Sequence, residues 1–456
     1  MRTCAVVGGG ICGITASILL RKHYDRVVLI EQSESLGGLL NSVADDAGNY
    51  YDQGTHIPAS TGIAEIDEIL FNLPQFSKNW HTFTQLKTGN YFAGEWDLET
   101  QTIDARKLDS ALYKQGIGEF MSLTSESEAD NIEQYLCETL GVVFYQYLAK
   151  PVINKLYGND VSFTDLAKNT SINYFGATRI KAFNASLSRV LKQHPEFDKK
   201  LGYHSAAEFE ALLVAQGTNL PNYYYPNNPK GAQVWIDQLQ AKAESLGVEI
   251  RCNSQVLDIE YQDDLVTAFS LSDGSRIKCD LLFWSAPPVF ALKAANLSIA
   301  NYKPIFRTAN ILHFTFDKQP LNRESHYLWN WDPCSDIFRV TLYNNLRQSD
   351  KYQVSAEVLR YKADPTYTLE QGIIDLKNMG VISPDTKMKS GCVQKIDNTF
   401  PVPTHEFCNT TQLNYETLTN SFKNIIVSGR FSGRCWLLSD VLALAHKELK
   451  EYCTVG

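Results

Sequence analysis

The feature that most constrains this chain lies in its first 31 residues. An apolar stretch, Cys4-Ala5-Val6-Val7, runs into Gly8-Gly9-Gly10-Ile11-Cys12-Gly13, which opens the helical run Ile14-Thr15-Ala16-Ser17-Ile18-Leu19-Leu20. A second apolar stretch, Arg26-Val27-Val28-Leu29-Ile30, ends at Glu31, 18 residues after Gly13. A lone GxGxxG is a weak signal. Strand, turn, helix, strand and acid in one register is the context in which the motif holds a dinucleotide. Gly8 permits the tight turn, Gly10 lets the backbone approach a pyrophosphate, and Gly13 lets the helix pack closely on the strand. The helix N-terminus presents free N–H groups and a partial positive charge that favour phosphate, and Ile11 and Cys12, between the glycines, are further expected contacts. Glu31 is spaced to accept the ribose hydroxyls and would repel a 2′-phosphate, which disfavours NADP; Gln32 follows it as a further expected contact.

The rest of the chain is long enough, at 456 residues, for two or three domains with sizeable cores. A formal net charge of -9 argues against a nucleic-acid partner, although a local basic pocket for an anionic substrate remains compatible with it. The ten cysteines form no CxxC pair, so no metal or dithiol site is expected. Scattered cysteines without a secretory signal fit a reducing, cytoplasmic compartment, and no apolar run reaches membrane-spanning length. Helical spacing recurs at 63–70, 104–150, 205–216 and 231–246, and Asn90 to Trp96 reads as a hairpin. Short strands are expected at 248–251, 255–259, 265–271, 308–316, 336–344, 353–361 and 424–428, with a final helix from about Ser439 to Tyr452. Dinucleotide-domain pieces at both ends and in the middle predict two interleaved domains. The first comprises 1–61, 221–295 and 396–456, the second 62–220 and 296–395.

Further motifs sharpen this. Ser33-Glu34-Ser35-Leu36-Gly37-Gly38-Leu39-Leu40 is followed by Tyr51-Asp52-Gln53-Gly54-Thr55-His56. Gly247 to Val256 leads to Asp280-Leu281-Leu282-Phe283-Trp284-Ser285-Ala286-Pro287, and Asn424 to Val427 leads to Ser428-Gly429-Arg430. With these residues the chain resembles the flavin-containing amine oxidoreductase superfamily, which includes monoamine and polyamine oxidases, protoporphyrinogen oxidase, carotenoid desaturases and UDP-galactopyranose mutase. The resemblance implies an α/β fold of the glutathione-reductase-like FAD type, with a parallel sheet, interleaved with a mixed α+β substrate domain. It implies FAD along Gly37, Gly38, Leu39, Gly54, Thr55 and His56, with Val256 meeting the adenine, Gly429-Arg430 near the flavin, and Asp440-Val441 opening the last helix at the flavin carbonyl edge. Leu39 stands where many amine oxidases carry a basic residue. Cys435 follows Gly429-Arg430 rather than preceding it, so the flavin is expected to be non-covalent.

The substrate side is less readable. Tyr157-Gly158, Arg339 in Asp336-Ile337-Phe338-Arg339-Val340, Ser355 to Val358 and Phe400-Pro401-Val402-Pro403 fit the protoporphyrinogen oxidase and mutase branch. Tyr157 and Arg339 are accordingly expected at the substrate, Arg339 as a bidentate anion ligand. His56 is the candidate catalytic group, since the resemblance implies a place for it close to the flavin ring. Phe431 occupies the position of the tyrosine that follows Gly-Arg in the mutases, and no aromatic cage is identifiable. The reading is an FAD-dependent oxidoreductase passing hydride from a small-molecule substrate to flavin N5. The alternatives are a flavin-dependent nucleotide-sugar mutase and a protein in which FAD is structural.

Overall fold

Five short strands, all parallel, build the sheet that the opening motif requires, in the order Val248–Arg251, Arg26–Ile30, Thr3–Val7, Leu281–Trp284, Ile425–Val427. The protein is described here from a computed structural model that covers residues 1–72, 79–123, 127–172, 174–300 and 302–455. The first strand lies in the middle of the sheet, with its neighbours added on one side by residues 26–30 and on the other by 281–284. That reversal of strand order opens a crevice at the carboxyl ends of the strands, where open α/β sheets bind their ligands.

Strands buried on both faces need apolar side chains on both, which explains the unbroken runs Cys4–Val7 and Val27–Ile30. On one face the helices Ile11–Leu20, Gln233–Ser245 and Leu438–Val455 pack through Ile14, Ile18, Trp235, Leu239, Leu442 and Ala445. On the other, the antiparallel strands Val256–Gln262, Leu265–Leu271 and Arg276–Lys278 contribute Ile259, Val266, Phe269 and Ile277.

A second, seven-stranded mixed sheet runs in the order Met388–Pro401, Phe306–Phe316, Tyr352–Arg360, Ile337–Leu342, Tyr327–Asn330, Thr88–Phe92, Glu95–Asp97. The predicted hairpin at Asn90 to Trp96 is present, turning at Ala93 and Gly94. Helices Ser110–Ser122, Ile132–Leu140 and Lys150–Tyr157 form a separate apolar cluster against this sheet. Helix Ala64–Phe71 packs Ile66, Ile69 and Leu70 into the same apolar cluster as the parallel sheet. Strand Met388–Pro401 runs through position 395 because it pairs along the length of Phe306–Phe316.

The strand Tyr352–Arg360 explains how the two sheets meet. It is buried over nearly its whole length, yet alternates in character. Val354, Ala356 and Val358 enter the apolar core of the second sheet. Gln353, Ser355 and Glu357 point the other way, toward residues 50–55 of the first domain. Each finds partners there or beside it: Gln353 donates to the Tyr50 carbonyl, Ser355 meets His313 and Tyr343, and Glu357 accepts from Thr55. Buried polar groups so placed are tolerable only because they are satisfied.

Candidate cofactor site at the carboxyl end of the parallel sheet

The Gly8–Gly13 turn has the geometry that its composition demands. A Cβ on Gly13 would come within 1.9 Å of the Gly8 carbonyl oxygen, so helix and strand can approach only with glycine there. Gly10, which precedes the helix at φ -70°, is different. A Cβ on it would meet nothing within 4 Å. Space therefore opens directly above the helix N-terminus, where a pyrophosphate would take up the unpaired N–H groups. Across the space lie Gly37 and Gly38; the Gly37 N–H donates to the Gly9 carbonyl at 2.8 Å, so the second Gly-Gly is bound to the first turn.

Glu31 ends its strand beside this turn. Its carboxylate accepts from the Gly9 N–H at 2.6 Å and from the Ser33 N–H at 2.8 Å. A carboxylate has about four lone-pair sites, so capacity remains for ribose hydroxyls. The Glu31–Ser33 backbone pairs with Arg251, Asn253 and Ser254, which brings the half-buried Val256 segment alongside. Gln32 is exposed.

The C-terminal motif reaches the same crevice. Ser285 donates through its hydroxyl to the Val7 and Gly8 carbonyls, and Gly429 lies so close to the Ser285 carbonyl that a Cβ would stand 2.6 Å from it. The hydroxyl of Ser428, just before, is buried against the Cys12 thiol at the start of the first helix. Arg430 donates through Nε to the Trp436 carbonyl at 3.2 Å and lies 4.8 Å from the centre of the Trp436 ring. Burial, then the Arg339 charge, pulls its pKa down. Trp436 itself is a core residue, 7% exposed. The last helix begins at Leu438, with Asp440 exposed and Val441 buried. Cys435 is half-buried against the same core, and burial raises its thiol pKa.

These placements fit a dinucleotide with an adenosine half at Glu31, a pyrophosphate above Gly10 and a distal half toward Gly54–His56 and Arg430. Open space over the turn, where a Cβ on Gly10 would meet nothing, is what such a ligand would fill.

At the distal end, His56 Nε2 lies 3.1 Å from the Gln53 carbonyl oxygen. A carbonyl only accepts, so Nε2 carries the proton and Nδ1 of the neutral ring is left as an acceptor. Burial, then the Arg339 and Arg430 charges, lowers the pKa of His56 to about 4, with Glu357 opposing. At neutral pH the ring is uncharged.

Arg339 is present beside this turn, but its guanidinium is engaged by a carboxylate of the chain itself. Nε and Nη2 donate to Glu357, each at 2.7 Å. Tyr157 departs from its expected role. It is 1% exposed in the helical core, edge-on to Tyr174, and so presents no surface to a substrate. Its place in the chain follows from the helix Lys150–Tyr157, whose apolar face is buried there.

What sequence reasoning missed is a cavity of about 1180 Å³, lined by residues from 84–102, 176–223 and 321–327 and by none of the cofactor-site segments above. Tyr203, Phe209, Leu213, Tyr223, Tyr327 and Arg179 are among its lining residues. It adjoins the distal end: Tyr223 bridges to Ala59, three residues after His56, and Tyr327 rests edge-on against Trp329, whose ring lies 5.3 Å from the Arg339 guanidinium. Helix Ala206–Ala215 has no buried residue although only Glu208 and Glu210 in it are polar, because Phe209, Leu212 and Leu213 face this space. Among the described residues there is no cluster of three or more metal-ligating side chains, and no helix long and apolar enough to cross a membrane.

Comparison with known proteins agrees with this geometry. Residues 6–66 match the NAD(P)-binding Rossmann-like domain family. The chain is 26% identical to 4,4'-diapolycopene oxygenase of Methylomonas sp over 290 residues, covering 61% of this chain and 54% of that one. It is 24% identical to carotenoid phi-ring synthase of Chlorobaculum tepidum over 293 residues, 60% of this chain and 40% of the other. The chain thus spans about half the length of the curated relatives it matches. Among solved structures, reduced UDP-galactopyranose mutase superposes with a TM-score of 0.77 at 16% identity, covering 100% of this chain and 94% of that one. A protein assigned as a protoporphyrinogen oxidase of Exiguobacterium sp. 255-15 gives 0.69 at 15%, covering 100% and 99%. Putrescine oxidase gives 0.57 at 14%, covering 99% of each. The chain therefore shares the fold of these structures, a Rossmann-like α/β dinucleotide domain on a parallel sheet joined to a mixed second domain.

Proposed function

We propose that the chain binds FAD non-covalently and acts as an FAD-dependent oxidoreductase on a small-molecule substrate. The observation that carries this reading is the convergence of the Gly8–Gly10 turn, Glu31, Gly37–Gly38, Gly54–His56 and Gly429–Arg430 at one end of a parallel sheet. When bound, FAD supplies the hydride acceptor, its N5, and the protein supplies orientation and electrostatics.

The chain's own residues have separable tasks in this reading. Glu31 holds the adenosine ribose, and the helix N-terminus at Ile11–Gly13 holds the pyrophosphate. Arg430 and the neutral His56 border the ring. His56 offers Nδ1 as a hydrogen-bond acceptor. The cavity of about 1180 Å³ beyond Tyr223 and Tyr327 is the proposed substrate chamber, and it exceeds the space that a drug-sized ligand needs, roughly 300–1,000 Å³. Mixing the FAD-loaded protein anaerobically with a panel of amine, alcohol and polyene donors tests the reading. At least one donor is expected to bleach the flavin absorbance. A flavin that dithionite reduces but no donor does would refute hydride transfer from substrate.

The size and lining of that chamber favour a second reading on the same cofactor, a nucleotide-sugar mutase with no net redox change. Its aromatic walls at Tyr203, Tyr223 and Tyr327, with Arg179 and Arg323, suit a large polar substrate carrying a flat ring and an anionic group. Product formed only by dithionite-reduced protein would select this reading. Product formed equally by oxidised protein would exclude it.

A further inference from the structure

Glu357 carries no role in the reading above, yet it is a buried charge, 3% exposed, at the edge of the proposed flavin site. It lies directly across the antiparallel strand pair from Arg339. Its Oε1 accepts from Arg339 Nε at 2.7 Å, from the Thr55 N–H at 3.1 Å and from the Thr55 hydroxyl at 2.9 Å. Its Oε2 accepts from Arg339 Nη2 at 2.7 Å. A Cβ on Gly54 would stand 3.1 Å from that same Oε2. The Thr55 hydroxyl also meets the Thr341 hydroxyl at 2.5 Å, fastening the turn to the neighbouring strand. One carboxylate thus binds the only charged side chain of its partner strand and the backbone of the Gly54–His56 turn at once.

We propose that Glu357 is a positioning and charge-setting residue for that turn: it clamps Thr55, and it neutralises Arg339, so that it fixes both where Gly54–His56 sits and the electrostatic potential that a bound flavin experiences. This rests on the reading that the flavin ring lies against Gly54–His56. Two cations, Arg339 and Arg430, act on His56, with Glu357 as the opposing anion. With Glu357 ionised the balance is one net positive charge; without it, two. Burial keeps such charges from being screened by water and salt. Removing one partner of a buried pair leaves the other uncompensated. Reduction adds electron density to a flavin, so an uncompensated cation beside it favours the reduced form. Glu357 therefore holds the cofactor's potential down as well as holding the turn in place.

The test is the flavin midpoint potential, read by gradual reduction with xanthine and xanthine oxidase against a reference dye. FAD-loaded wild type, E357Q and R339Q/E357Q are compared. E357Q preserves the shape of the side chain and removes its charge. Its reduced-to-oxidised ratio at a given potential is expected to rise three- to tenfold, about 14–30 mV for a two-electron couple. R339Q/E357Q restores the wild-type charge balance and is expected to restore the wild-type potential, which damage to the turn alone would not do. An E357Q protein at the wild-type potential overturns the inference, as does a double variant displaced as far as the single one. Should E357Q fail to hold FAD, R339Q takes its place: its potential is expected to fall and that of the double variant to recover, and equal potentials for these two overturn the proposal. A wild-type protein that takes up no FAD overturns the underlying reading, and this inference with it.

Discussion

Gly10 and Gly13 lie three residues apart in one turn, and the structure assigns them opposite vulnerabilities. Gly10→Ala adds a methyl group where nothing stands within 4 Å, at φ -70°, which any residue adopts. The folded protein without cofactor should lose nothing, and by restricting the unfolded chain the change should add about 0.4–1 kcal/mol of stability. That methyl group enters the space assigned to the pyrophosphate. FAD affinity is expected to fall at least tenfold, about 1.4 kcal/mol. Gly13→Ala places its methyl 1.9 Å from the Gly8 carbonyl oxygen, backbone against backbone, so helix and strand must separate. Overpacking of this kind costs roughly 1–3 kcal/mol, and a rigid backbone contact belongs at the top of that range. Urea unfolding of the cofactor-free proteins measures the first quantity, and FAD fluorescence quenching on titration measures the second. Gly10→Ala should raise its urea midpoint slightly and bind FAD at least tenfold more weakly; Gly13→Ala should lower the midpoint itself. Equal destabilisation of both, or full FAD affinity in Gly10→Ala, would refute the placement of the pyrophosphate.

Glu31→Ala should raise the FAD dissociation constant on the order of 10- to 150-fold, because a charge-assisted hydrogen bond contributes about 1.5–3 kcal/mol; calorimetric titration of the cofactor-free protein checks this. His313 is 0% exposed, bonded to the Ser355 hydroxyl at 2.7 Å, and burial lowers its pKa to about 4. Its unfolded form therefore binds a proton that the folded form refuses, so its contribution to stability is complete above pH 6.5 and is lost as the pH falls toward 4. Denaturant unfolding across that range should show a shallower acid slope in His313→Asn than in the wild type, and identical slopes would remove His313 from the account.

Much of the cofactor crevice was legible because its signals are local. Gly8 to Gly13 and the strand ending at Glu31 are contiguous, and the tightest approach, Gly13 against the Gly8 carbonyl, lies within the turn itself. The second Gly-Gly and Gly429-Arg430 were readable only through family resemblance, since nothing in their own spacing says that they meet the first turn. The substrate side failed for a different reason. Tyr157 resembled a known motif, but its exposure is set by how the helix Lys150–Tyr157 packs, which sequence spacing does not report. The carboxylate that engages Arg339 was not legible because it lies 18 residues on, across a strand pairing. A signal for that partner did exist: Gln353, Ser355 and Glu357 alternate with Val354, Ala356 and Val358, and a strand with one polar face must bury it against matching groups or leave it wet. Met388–Pro401 escaped notice because its composition is polar and glycine-containing, and pairing with Phe306–Phe316 overrides that propensity. The cavity beyond Tyr327 is formed by segments from 84 to 327 and has no local signature.

The central claim is that this crevice holds FAD, and release of the bound cofactor tests it most directly. Protein purified without added flavin is heat-denatured, and the supernatant is assayed by absorbance, fluorescence and mass. The account predicts a yellow protein that releases FAD in a ratio near one per chain, leaving a colourless pellet because the flavin is not covalently attached. A colourless protein that stays colourless after incubation with FAD, yet binds NAD, would contradict it.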